Sequence, residues 1–232
     1  YVAYGDFATW VYEQLGLIVF CDELWDVRAR SGKDYVELNK MNKEQDLDGL
    51  EDVEAAALKW NDEALQGDGF VDWQSFDHPQ LGPVEIGGWK RILRNNAPVH
   101  LMEETCEKMS RFLIAHAQAS PNLGAEIHQA EEISEGVYRI SVAVRNDGYL
   151  PTNVTQQAIK MNQAKPVEAS IQLNEGDTLL MGDAKQEIGH LSGYGGRRKV
   201  EWTVRFKNTP QGTIKISSKK AGTINLNIKV GS

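Results

Sequence analysis

Beyond residue 124 the chain alternates apolar and polar positions with a period of two. The runs 137–145, 167–173, 198–206, 213–217 and 223–230 place Val, Ile, Leu, Trp or Phe at nearly every second position. That is the pattern of a strand with one face in a core and the other in water. Turn residues separate the runs, among them Asn146, Asp147 and Gly148, then Asn174 to Gly176, Thr209 to Gly212, and Ala221 with Gly222. Asn, Asp, Gly and Pro there set hairpins and loops. Seven or so short strands at this spacing predict an all-β sandwich over residues 125–232.

Before residue 120 the period changes. Over 98–119, Leu101, Met102, Thr105, Met109, Phe112, Leu113 and His116 recur at three- and four-residue steps, which predicts a long helix. A second helix is expected over 51–65, where Val53, Ala56, Ala57, Leu58 and Trp60 form a partial apolar stripe and acidic residues sit at the N-terminal end. At the start of the chain an aromatic helical stretch, 7–15, should stop at Gly16, which can adopt the left-handed conformation of a helix C-terminus. The apolar run 17–20 then reads as a strand buried on both faces. Three residues on comes Glu23. A carboxylate on such a strand without a neighbouring Lys or Arg is costly unless paired, hydrogen-bonded or opened to a cleft. It is either a group at the ligand-bearing C-terminal end of the strand or a strand-end glutamate facing solvent. Residues 120–124 are the expected linker between the two halves.

Composition narrows the function classes. With 41% hydrophobic residues and no apolar run near 18, no membrane-spanning helix is expected. A net charge of −8 argues against nucleic acid as a partner, since phosphate binding needs a basic footprint. Residues 1–124 carry 11 basic and 22 acidic side chains and residues 125–232 carry 14 and 11, an asymmetry that fits a domain boundary near 120. The two cysteines, Cys21 and Cys106, have neither a zinc-site spacing nor a disulfide framework. Two buried free thiols are the expectation, with a bridge as the alternative.

The order and gaps of Tyr1, Gly5, Trp10, Tyr12, Gly16, Phe20, Glu23 and Leu24 resemble the end of the catalytic domain of zinc carboxypeptidases of the carboxypeptidase A/B type, the funnelins. The resemblance implies that Glu23 is the general base and acid of peptide hydrolysis. It implies that Tyr1 is a mobile tyrosine closing over the substrate, and that Ala8 and Cys21 line the specificity pocket. Both pocket residues are small and uncharged, so an apolar or mixed C-terminal residue is the implied peptide substrate. A glutamate in a water-excluding cleft has its pKa raised toward working pH, as a general base needs. Thr9 stands where the family often has Asp, and Asp6 lies in a loop usually made of small residues. The family's zinc ligands and substrate-binding arginines precede the tyrosine, so the 232 residues are expected to be the C-terminal part of a longer protein and to be inactive alone. The implied fold is the C-terminal α/β portion of the catalytic domain, residues 1–119, with an insertion over 27–98, followed by an accessory sandwich of immunoglobulin- or fibronectin-like type. Zinc is the implied cofactor and an extracytoplasmic location is what the family suggests.

The run Asp77 to Trp89 resembles a loop of bacterial members of the same family, and the insertion is expected to pack beside the catalytic cleft and narrow its entrance. Other candidate chemistry is weaker. The acidic run from Asp46 to Asp52 lacks the spacing of a calcium loop and reads as a solvated surface. His100 and Glu103 match a short zinc-ligand spacing, and His78 precedes Pro79, but neither has the context of a metal site. The loop 189–198, with three glycines after position 192, Tyr194 and paired arginines, could bind a partner or be a flexible basic hairpin. The rival function is a non-catalytic binding or structural module in which the sandwich engages a protein or cell-surface partner.

Overall fold

The computed structural model describes residues 5–229 and contains three antiparallel sheets with six α-helices among those residues. Contacts divide the chain into two units, residues 1–21 with 112–232, and residues 22–111.

In the first unit, helix α1 (Phe7–Trp10) runs into a π-helical turn, Val11–Leu15, which ends on Gly16 at φ 62°. This is the helix and the glycine stop that the sequence predicts. The two departures from the family pattern cap it: Asp6 is the N-cap and accepts from Thr9 N and Thr9 Oγ1, both at 2.8 Å. The strand expected over 17–20 does not form, and Ile18 and Phe20 are exposed. An apolar run becomes a strand only where a neighbour completes its hydrogen-bond ladder, and no described strand pairs with it.

The second unit holds helices α2 (Tyr35–Glu44) and α3 (Leu47–Leu65), the hairpin β1 (Phe70–His78) and β2 (Gly82–Trp89), and the short helix α4 (Arg91–Asn95). Helix α2 opens with a reciprocal capping box between Asp34 and Glu37. Buried Asn61 of α3 accepts from Gly69 N at 2.7 Å and fixes the turn into β1. The run 77–89, expected as a loop, instead forms the end of the first strand, the turn and the second strand of this hairpin. Helix α5 (Val99–Gln118) spans the division between the units, follows Pro98, and has no buried residue.

The remaining strands are β3 (Leu123–Ser134), β4 (Val137–Asn146), β5 (Val167–Leu173), β6 (Thr178–Met181), β7 (Lys185–Gly189), β8 (Arg197–Arg205), β9 (Gln211–Ser218) and β10 (Gly222–Lys229), with the short helix α6 (Gln156–Lys160) before β5. They form two four-stranded sheets, β3-β4-β8-β6 and β10-β9-β5-β7. Ile140, Val142 and Trp202 from one sheet and Ala169, Ile214 and Ile216 from the other share one buried cluster. The indole Nε1 of Trp202 donates to Asp183 O at 2.8 Å, so its burial leaves no polar atom unpaired. Alternation made five of these strands legible. β3, β6 and β7 are not among them, the last two being only four and five residues long.

Candidate functional site

The segment after Cys21 is held against α4. Trp25 Nε1 donates to Leu93 O at 2.8 Å, and the Arg30 guanidinium lies 4.6 Å from the Trp25 ring centre and 5.5 Å from that of Trp60. Asp26 caps the 3₁₀ turn Val27–Ser31 and takes a two-pronged hydrogen bond from Arg28. Burial raises the Asp26 pKa, but the hydrogen bonds and charge of Arg28 outweigh it and hold the carboxyl below its ordinary value. Between this tethered segment and the start of α5 lies a groove of about 610 Å³. Asp22 and Glu23 make its acidic lip, Asn95, Asn96 and Thr105 add polar groups, and Leu24, Ile92 and Met102 make the apolar part.

Glu23 is exposed in this groove rather than enclosed, so it meets water freely. The carboxylate oxygens there accept hydrogen bonds from water, and the neighbouring amide side chains both donate and accept. Of the other residues singled out from the sequence, Tyr1 lies outside the described residues. Ala8 sits in the middle of α1, half-buried. Cys21 and Cys106 are free, as expected, but both are exposed instead of buried. Cys21 lies in the segment that forms no strand and Cys106 on a helix without buried positions, so the core that would have enclosed them is absent among the described residues. Cys106 lines the groove with Glu23. Neither Ala8 nor Cys21 does.

The weaker candidates resolve into structure. Asp46 is the N-cap of α3, accepting from Gly49 N at 3.1 Å. His78 Nδ1 accepts from Gln80 N and Leu81 N, closing the β1–β2 turn. Among the described residues no group of three or more His, Cys, Asp or Glu side chains is placed to hold a metal ion. The loop after β7 is tied down by Tyr194 N to Gly148 O at 3.1 Å, Gly195 N to Asn146 O at 2.9 Å and the ring contact of Tyr194 with Tyr149. The stacking of Arg30 with two tryptophans was missed, because its members are 5 and 30 residues away and no local pattern joins them.

A second cavity, about 330 Å³, lies within the first unit between Leu17, Ile18, His116, Leu150, Val154 and Lys220. Burial pushes the Lys220 ammonium below its ordinary pKa.

Residues 123–229 match a family described as a domain of unknown function, DUF8731. The match takes in the two-sheet region and leaves residues 1–122 outside it. No curated protein matches the chain.

Proposed function

We propose that the chain is part of a zinc carboxypeptidase of the carboxypeptidase A/B type, supplying the proton-handling carboxylate and one wall of the substrate groove, and carrying an accessory sandwich. The observation that carries the reading is Glu23, followed by Leu24 as in the family motif, on the lip of a groove with both polar and apolar walls. Asn95, Asn96 and Thr105 suit a peptide backbone, and Leu24, Ile92 and Met102 suit an apolar side chain. Residues 92–97 of the insertion form part of that wall, in keeping with an entrance narrowed by it. Among the described residues no His, Cys, Asp or Glu cluster supplies a metal site. The reading assigns the zinc ligands to residues outside this chain, and what the chain itself contributes is binding, orientation and proton transfer at Glu23. Exposed Phe7, Trp10 and Phe20 and, on α5, Leu113 and Ile114 gain apolar partners on this reading from the rest of the catalytic domain.

The reading extends to the sandwich. The strand order β3-β4-β8-β6 opposite β5-β9-β10 follows the arrangement of an immunoglobulin-type sandwich, with β7 an additional edge strand beside β5. That supports the immunoglobulin-like type over other two-sheet folds.

The test is peptide hydrolysis by the protein that carries this chain together with the zinc ligands the reading requires. Such a protein should hold about one zinc per chain and lose activity on chelation. Glu23→Gln should lower turnover by about 10²- to 10⁴-fold, the usual contribution of a general acid–base group, with peptide binding retained. Undiminished turnover in that variant would remove Glu23 from the mechanism.

A further inference from the structure

A helix leaves its last carbonyls without partners inside the helix, and something else must satisfy them. At the end of the 7–15 helical stretch three of these carbonyls are taken by side chains from far along the chain. Thr155 Oγ1 donates to Gly16 O at 2.7 Å, Gln157 Nε2 to Glu13 O at 2.9 Å, and Lys220 Nζ to Leu15 O at 3.2 Å. The charge of Lys220 also opposes the negative end of the helix dipole. Thr155 serves two elements at once, because its hydroxyl accepts from Ala158 N at 3.0 Å and so caps α6.

The contact is shaped as well as hydrogen-bonded. A side chain at Gly16 would lie 2.2 Å from the Ala158 Cα and N, so the two backbones touch through the missing Cβ. On the sandwich side Val154, immediately before Thr155, holds φ at 65°, a strained conformation for a β-branched residue. Strain of that kind persists where surrounding structure demands it, and here it sits next to the residue that reaches Gly16. Asn153, buried, donates from Nδ2 to Thr155 O at 3.0 Å and holds the same turn.

We infer that the face of the 123–229 domain formed by residues 153–158 and Lys220 is a docking surface for a helix C-terminus, and that its occupant is the segment 7–16 of the same chain. The domain's role is then intramolecular. It recognises three helix-end carbonyls and a left-handed glycine, and it fixes a segment more than a hundred residues upstream. The inference rests on these contacts and does not need the hydrolase reading; if that reading holds, the docked helix is the one that bears Ala8.

Hydrogen exchange on the full chain, followed by mass spectrometry, tests this. Gln157→Leu and Thr155→Val should each speed exchange across residues 11–18, on the order of tenfold for one lost hydrogen bond, while β4 and β8 keep their protection. Thr155→Ser, which keeps the hydroxyl, should leave it unchanged. Gly16→Ala should release the segment far more than Gly5→Ala, since Gly5 has a similar φ of 71° but nothing within 4 Å of its would-be Cβ. Unaltered exchange over 11–18 in Gln157→Leu and Thr155→Val would overturn the inference, as would equal effects of the two glycine substitutions.

Discussion

Asn146 is fully buried and its side chain makes four hydrogen bonds: Oδ1 accepts from Asn122 N and Gly148 N, and Nδ2 donates to Leu150 O and Ser192 O. Its backbone pairs with Gly195 and Gly196. Asn146→Ala should therefore strand several buried groups and cost about 3 kcal/mol or more, read as a lower midpoint in urea denaturation. The sequence marks Asn146 only as a turn residue, because two of its four side-chain partners, Asn122 and Ser192, lie 24 and 46 positions away. His190 offers a second test. Its Nδ1 is buried without a hydrogen-bond partner, and burial holds its pKa below 6.5. A depressed pKa means the unfolded chain binds the proton more readily. The stability contributed by neutral His190 is thus complete above the unfolded pKa and is lost as pH falls from about 6.5 through the folded value. Denaturation midpoints at pH 7.5 and pH 5.5 should differ, and His190→Asn should shrink the difference. At the candidate site, Glu23 stood out from local sequence, whereas the groove that gives it meaning joins residues about 70 to 80 positions apart.

Helices were legible where period and cap agreed. The long helix was expected over 98–119 and runs from Val99 to Gln118; the one expected over 51–65 begins earlier, at Leu47, because the acidic residues before it include its own cap, Asp46. Helix α2 carries a cap signal without a strong apolar period, since Asp34 and Glu37 form a full capping box. Asp34→Ala should cost about 1 kcal/mol, seen as faster exchange in α2 amides. Strands were legible where they alternate and have partners. The run 17–20 has strand composition but no ladder, and β1–β2 was hidden by its glycines, prolines and largely exposed faces. One of those glycines is required by packing, since a Cβ at Gly87 would lie 2.7 Å from the Trp73 Cα.

The two units differ in how they are held. The sandwich shares one cluster of sixteen buried residues. Among the described residues between 22 and 111 the buried apolar side chains are Val27, Leu38, Val53 and Ala57. That unit also carries 20 acidic and 11 basic side chains, and the excess repels itself. Unfolding should be non-two-state, with residues 22–111 opening first and their midpoint rising with salt as the repulsion is screened. Tryptophan fluorescence follows this directly, because Trp25, Trp60, Trp73 and Trp89 lie in that unit and Trp202 in the sandwich.

The first unit is discontinuous in the chain, and synthesis is directional. Residues 7–16 leave the ribosome long before the side chains that cap them, which follow 139 to 205 positions later. At about 5–20 residues per second that delay is roughly 7 to 40 s. Throughout it a short helix bearing Phe7, Trp10 and Tyr12, all exposed even when docked, has to wait without its anchor. Residues 7–16 of the nascent chain are therefore open to chaperones and proteases until Lys220 emerges, and a pause in translation between residues 22 and 111 lengthens that interval.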